Sequence, residues 1–550
     1  MRSFRPSPRV AALLLLVGVG VLIVVNMLHS YSLGQYRTMY DNPIYRWRVS
    51  VAVALSQLRD PPLPGYVAYG SINNYLNRHG LALLRGEAAP LPYPDAVKRL
   101  IYDSGRLEAL FQKAFTVTID HKLPPVPIVG NEKGEAAYYY LAFRLFGIHI
   151  TSFWWLYFTF LTVSSLIFFL TFWRAPKCIL FLMIYLSAHF YMLDLVTVKY
   201  FQTVHNSRFF TVLALLPSLH LLLLVLRRER PTWIGLTLAA GQILLLFFLI
   251  FCRTQVAWQP AGIMLIAALW LPYRSLWSGS WHARSLALGA RRAVAAGWPA
   301  ILIIAGGLGL LVYQKTAIDR EAYATETADR SFWDAVVCGT VSASPQLLRL
   351  YGLGTDIYTD TMGYLIAREY IRTHNLNTLP IVYIANGEIQ IDVMKGMGTY
   401  DKVMRRVFFD MAATHPWLVV KSFIYDKPRD QIMWFSQMKI IFSVAFYWSV
   451  TLTIISMLYV WIISAPPLYR EEFKAAVWVM PLAAFLSSST VFITPTLLIA
   501  DTIMVLLMLL LATLAFGFCW GASLLQNRRK TPASVPTLES AIPLRLDRPS

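Results

Sequence analysis

Three carboxylates in the first long polar segment have the chemistry to take a proton from a hydroxyl. They are Asp41 in MYDNPIYRW, Asp103 in YDSGRLEALF and Glu132 in GNEKGEAAYYY. A general base needs its carboxylate held within hydrogen-bond reach of the group it deprotonates. Asp103 stands just before an apolar pattern of Leu107, Leu110 and Phe111. That position predicts an N-cap, whose oxygen satisfies free backbone N–H groups at the helix start. A capping carboxylate is also rigidly held, so the capping and catalytic roles are compatible. Asp60, in LRDPPLPG, has the surroundings of an ordinary turn. The plainer role of Glu132 and Glu135 is to favour the N-terminal dipole of the aromatic helix that follows them.

Four cations suit the complementary task of holding an anion. The turn KYFQTVHNSR presents Lys199, His205 and Arg208, and FCRTQ presents Arg253. Arg and Lys give charge-assisted hydrogen bonds to phosphate oxygens. The bland alternative is contact with lipid headgroups. Asp194 and Asp501 stand near helix ends on the same side as Arg253. Three ionisable groups on one side fit either a polar cavity opening there or interfacial snorkelling. His189 and His220 lie deeper in apolar runs, where a helix–helix hydrogen bond is the commoner role. Asp356 and Asp360 in GTDIYTDTMG suit loop capping better than metal binding. No CxxC occurs among the four cysteines, so neither a metal nor another cofactor is expected.

The elements that must position these groups follow from composition. The chain is 57% hydrophobic and 14% charged, where a soluble protein carries about a quarter charged residues. Apolar runs longer than about 18 residues mark transmembrane helices. Such runs lie at about 10–29, 150–173, 178–198, 208–226, 233–252, 255–272, 293–313, 440–463, 475–493 and 497–520. They predict an all-α polytopic membrane protein of about ten spans. The basic leader MRSFRPSPR keeps the N-terminus inside, and NMLHSYSLGQY makes a poor small-residue cleavage site, so an uncleaved first helix is expected. Arg174 and Lys177, Arg227, Arg228 and Arg230, and Arg274, Arg284, Arg291 and Arg292 fall on alternate connections, as inside residues should. Much of the net charge of +19 is thus a topology signal, not a nucleic-acid footprint.

The domain order follows. Residues 1–29 are the inner N-terminus and first span, and 30–149 an outer loop with surface helices near 43–58, 71–86 and 94–117. Residues 150–313 hold spans two to seven, and 314–438 a second outer, soluble region. Residues 439–520 hold the last three spans, and 521–550 an inner tail with the composition of disorder.

Residues 130–172, beginning GNEKGEAAYYYLAFRLFGIHI, resemble the end of the first outer loop and the second span of GT-C-type glycosyltransferases. The protein O-mannosyltransferases and lipid A aminoarabinose transferases are the families meant. YYYLAFRLFG matches their aromatic helix and L-F-G turn, while EKGEA replaces their lysine–proline form. Residues 400–428 resemble the amphipathic stretch that leads such proteins back into the membrane. The resemblance implies a GT-C-like fold and a polyprenyl-phosphate-linked sugar as donor. It further implies a lipid or glycan acceptor and an inverting transfer on the outer, periplasmic face of a bacterial inner membrane. A loop aspartate would be the base. The family's paired acid is missing, because Ser104 follows Asp103, so Asp103, Asp41 and Glu132 all remain candidates. Lys199, His205, Arg208 and Arg253 would hold the donor phosphate.

Rival classes are an O-antigen ligase or polymerase, a transporter, and a non-catalytic scaffold. Ligases usually gather their cations in one late loop. Transporters favour midplane charges, broken helices and internal repeats, and this chain shows few such charges and no repeat.

The topology is directly testable. Single cysteines introduced at Pro90 and Leu350 should react with an impermeant maleimide in intact cells. Labelling of either one only after permeabilisation would refute an outer location for its segment.

Overall fold

The computed structural model describes residues 8–34, 43–88, 104–128, 133–200, 209–227, 231–277, 297–323, 332–354, 359–427 and isolated positions beyond. In chain order the first elements are α1 (Pro8–Gly34), α2 (Pro43–Leu58), β1 (Val67–Ala68), α3 (Gly70–Ala88), α4 (Ser104–Thr116) and β2 (Val126–Pro127). Next come α5 (Lys133–Phe146), α6 (Thr151–Phe172), α7 (Pro176–Tyr200), α8 (Phe209–Arg227) and α9 (Trp233–Cys252). A 3-10 turn (Thr254–Ala257), α10 (Trp258–Trp277) and α11 (Trp298–Ala317) follow. The later unit holds α12 (Phe332–Ala343), α13 (Pro345–Leu350), α14 (Thr359–Thr373), β3 (Val382–Ala385), β4 (Glu388–Ile391), α15 (Met397–Thr414) and α16 (Pro416–Lys421). A π-helical turn, Ser422–Asp426, closes it.

Among the described residues five helices are long and apolar enough to cross a membrane: Ala12–Tyr31 of α1, α6, α8, α9 and α11. Helices α7 and α10 carry shorter apolar stretches, Cys178–Leu193 and, with the turn before it, Thr254–Leu269. All seven fall where apolar runs predicted spans. Two details differ. The run expected from 255 opens as a 3-10 turn before the α-helix starts at Trp258. The helix expected at 293–313 begins at Trp298 and continues to Ala317. Gly297 is its N-cap and Pro299 sits in its first turn, where a missing N–H costs nothing. The last three expected spans lie outside the described residues, apart from isolated positions.

The surface helices of the first loop are not a separate layer. Val51–Leu55 of α2, Ile72 and Leu76 of α3, Phe111 of α4 and Tyr138 of α5 share one core with the spans. The helix expected at 94–117 is described only from Ser104 to Thr116. A second core joins Val337, Ile366, Ile371, Val403, Met404 and Val407 of α12, α14 and α15.

Among the described residues two sheets form, each two-stranded and antiparallel, which the all-α expectation did not include. Val67 pairs with Pro127, and Val382 with Ile391. The second is a hairpin whose turn, Asn386-Gly387, has positive φ at both residues. Asn-Gly between alternating apolar residues is a strong hairpin signal, and VYIANGEIQI carries it.

Helices in lipid gain little from apolar contact with one another, so polar clips matter. Asn26 of α1 donates both amide hydrogens, to the carbonyls of Leu22 at 2.8 Å and Leu186 at 3.0 Å. Its Oδ1 therefore accepts from His189 Nδ1, 2.9 Å away. The imidazole is thus the Nδ1–H tautomer, and its Nε2 accepts from the Tyr157 hydroxyl at 2.7 Å. The chain α1–α7–α6 is closed by this one network, which bears out the helix–helix role expected for His189. His220 is instead packed against the rings of Phe168 and Phe172. Gln242 of α9 exchanges hydrogen bonds with Ser164 of α6, at 2.7 and 2.8 Å. Gln259 of α10 accepts from Ser218 at 2.9 Å and donates to the Thr211 carbonyl at 2.8 Å, tying α10 to α8.

Replacing Asn26 by Leu strands the His189 Nδ1–H in a dry site. The cost expected is about 1–3 kcal/mol of unfolding free energy, measured by denaturation in mixed micelles. Adding His189→Leu should recover part of it. Single and double variants as stable as the parent would show that the network holds nothing together.

Candidate functional site

The aromatic helix α5 owes its place to a buried face. Glu135, Tyr138, Tyr139 and Ala142 are spaced i, i+3, i+4 and i+7, and all are buried. Tyr138 packs on Phe210 of α8 at 4.6 Å, and Tyr139 on Phe153 of α6 at 4.5 Å. The Tyr138 hydroxyl donates to the Phe153 carbonyl at 2.5 Å. Phe143 contacts Phe111 of α4 and Phe153. Such aromatic pairs contribute about 0.5–1.5 kcal/mol each beyond their burial. Gly147, with φ of 83°, ends the helix, and its N–H bonds back to the Phe143 carbonyl at 2.9 Å. This left-handed glycine cap is the physical content of the L-F-G turn.

The other end of α5 meets the C-terminal end of α9. A methyl group on Gly134 would overlap the carbonyl of Phe251 and the backbone nitrogen of Cys252. Only glycine lets the two backbones approach so closely. The Cys252 thiol donates to the Gly134 carbonyl at 3.1 Å. Lys133, Gly134 and Glu135 are therefore brought against Phe251, Cys252 and Arg253. The Glu135 carboxylate is fully buried and within electrostatic reach of the Cys252 thiol.

Two further elements complete this junction. Phe251 lies edge-to-face with Tyr66, which follows β1's glycine turn, at 5.5 Å. It meets Tyr313 of α11 at 5.6 Å. Contact between Phe251 and Tyr313 places the C-terminal ends of α9 and α11 on one side. The hydroxyls of Tyr66 and Tyr313 share a hydrogen bond. Tyr323 donates to the Tyr66 carbonyl at 2.6 Å and accepts from the Ile128 N–H at 3.0 Å. The Lys133 ammonium sits 4.5 Å over the Tyr323 ring, a cation–π contact. Burial pushes the Tyr323 phenol up to about 12, and pushes Tyr66 higher with help from its bond to Tyr313. Both therefore stay neutral donors at physiological pH. The junction joins two cations, a buried carboxylate and three phenols at a helix end.

Of the residues the sequence assigns to the site, Arg253 is the one whose side chain is described. It caps α9 with extended backbone, and its N–H bonds to the Leu249 carbonyl at 2.8 Å. Its guanidinium donates through Nε and Nη2 to Gln255 Oε1 at 3.2 and 3.1 Å. These two bonds hold one edge of the guanidinium in place beside the end of α9. Lys199 falls in the last turn of α7, its side chain outside the described residues. Asp41, Asp103, Glu132, His205 and Arg208 lie outside the described residues, as does Asp356, and so do the side chains of Asp194 and Asp360. Helix α4 opens at Ser104, the residue after Asp103.

Glu135 requires a correction. The sequence places it just before the helix; its favourable effect on the N-terminal dipole stands, and its position changes. The helix instead begins at Lys133, so Glu135 is inside the first turn and on the buried face. Extending the helical spacing of Tyr138, Tyr139 and Ala142 back by one step would have found it. Among the described residues no group of three or more His, Cys, Asp or Glu is arranged to hold a metal ion. Cys178, Cys252 and Cys338 are buried thiols, not disulfide partners. No protein-family model, characterised relative or solved structure matches the chain, so the residues themselves carry the functional case.

Gly134→Ala should cost about 1–3 kcal/mol, the usual price of overpacking a close contact. Gly307→Ala is the control, because a methyl there meets Phe247 at an ordinary 3.6 Å. Thermal unfolding of both variants checks this. Equal stability of the two would mean that α5 is not seated on α9 as described.

Proposed function

We propose that the chain is a membrane glycosyltransferase of GT-C type. It moves a sugar from a polyprenyl-phosphate donor to an envelope lipid or glycan, on the periplasmic face of a bacterial inner membrane. One observation supports this: the start of α5 is seated on the last residues of α9, which lead directly into Arg253. The segment that carries Asp41, Asp103 and Glu132 in sequence leads into this contact, next to the cation proposed for the phosphate. Transfer from a lipid phosphate needs both a base and such a cation.

In this reaction the acceptor oxygen attacks the anomeric carbon from the face opposite the phosphate. A loop carboxylate takes the hydroxyl proton as the new C–O bond forms. Asp103, Asp41 and Glu132 are the candidates. The bond to the lipid phosphate breaks with its electron pair, and negative charge grows on the departing oxygen. Arg253, with Lys199, His205 and Arg208, stabilises that charge. Glu135 is too deeply buried to be the base. Its carboxylate lies near the Cys252 thiol, in the seat of α5 on α9. The phenols of Tyr66, Tyr313 and Tyr323 hold one another and the strand before α5 in place, and so fix the frame around this contact.

The test is transfer by the purified full chain in nanodiscs, supplied with polyprenyl-phosphate sugars and scored for free lipid phosphate. Arg253→Ala should weaken binding of a polyprenyl-phosphate analogue by about 1.5–3 kcal/mol, the worth of a charged hydrogen bond. Asp103→Asn, beside Asp41→Asn and Glu132→Gln, should lower transfer about a hundredfold if Asp103 is the base. Unchanged analogue binding in Arg253→Ala removes the phosphate role. A parent that binds the analogue yet never transfers sugar points to a scaffold or carrier.

A further inference from the structure

The later unit carries an apolar stripe that its own core does not use. Trp417, Val420, Ile424 and Tyr425 are 71%, 43%, 74% and 54% exposed. The first three are spaced i, i+3 and i+7, so they share one face of the continuous helical stretch formed by α16 and the π turn. The opposite face is anchored. Val419, Ser422 and Asp426 are buried there, and the Ser422 hydroxyl donates to the Thr340 carbonyl of α12 at 2.9 Å. Lys421 is held by Gln346 at 3.3 Å and Asp426 at 3.7 Å. The stripe is thus presented outward by a fixed support and is not free to fold back.

We propose that this stripe lies in the headgroup–acyl boundary of the bilayer and docks the later unit on the membrane surface. Three observations choose lipid as the occupant. Trp and Tyr beside long aliphatic side chains form the mixed apolar and polar-tipped surface that suits the interface. The exposed Arg429 and the part-exposed Lys421 put cations on the stretch that presents the stripe, while Lys427 and Asp426 are buried, and exposed cations there complement an anionic leaflet. Chain connectivity supplies the third. The unit starts at Phe332, a short way after the membrane-crossing α11 ends at Ala317. The next apolar run begins near 440, about a dozen residues beyond Lys427, and so short a tether keeps the bilayer at high effective concentration. This inference does not depend on the proposed reaction.

The full chain in nanodiscs containing anionic lipid tests it in two ways. An environment-sensitive fluorophore is attached at Trp417→Cys, Ile424→Cys and, as a water-exposed control, Glu369→Cys, with the parent chain giving the background. Emission at 417 and 424 should shift to the blue and be quenched several-fold more by acyl-chain nitroxide lipids than emission at 369. Independently, a photoactivatable lipid should form adducts on the peptide 416–427 of the unsubstituted chain, with α11 as the positive control. Water-like emission at both positions, or adducts on α11 and none on 416–427, overturns the proposal. Blue-shifted emission that lipid nitroxides do not quench also overturns it, because protein then covers the stripe.

Discussion

The close contact of Gly134 with the end of α9 is the constraint from which the first unit takes its shape. Two backbones can touch only where no Cβ intervenes, and here the contact holds a surface helix against a membrane-crossing one. Everything along α5 then has a fixed register. Tyr138 reaches α8, Tyr139 and Phe143 reach α6, and Phe143 meets α4. A rotation of α5 by one residue would put Tyr140 and Arg144 where Tyr139 and Phe143 now pack. The same contact determines which charges come together. Lys133 and Arg253 flank it because each is a chain neighbour of the touching residues.

Within the bilayer a different force does the holding. Leu and Val contacts are nearly equivalent to lipid contacts, so they set no unique arrangement. Hydrogen bonds do, because an unmet donor in hydrocarbon is costly. Asn26, His189 and Tyr157 join three helices with every donor and acceptor assigned. Gln242 and Gln259 perform the same service for two other pairs. These few polar side chains specify which helices neighbour one another, while the apolar majority keeps them in the membrane. The later unit, built on its own core of α12, α14 and α15, uses ordinary apolar burial instead.

Spans, surface helices and the aromatic helix were legible in the sequence because each leaves a local trace. A run of apolar residues must be a helix in lipid, since no water is there to satisfy its backbone. Helix α2 runs over Pro43–Leu58, the range its amphipathic spacing predicts, and α3 over Gly70–Ala88 nearly so. The Asn386-Gly387 hairpin leaves a local trace too, because Asn-Gly between alternating apolar residues favours the turn it forms. Arg253 was readable as the residue closing its span, because α9 ends where its apolar run ends.

Sequence alone determined that the chain is helical, membrane-crossing, and charged mainly outside its spans. Tertiary structure decided the partners. That Glu135 is buried, that Lys133 faces Tyr323, and that Tyr66, Phe251 and Tyr313 close one junction depend on contacts between residues scores of positions apart. No local pattern records such contacts. The periodicity of a helix states which residues share a face, and only packing states what that face meets.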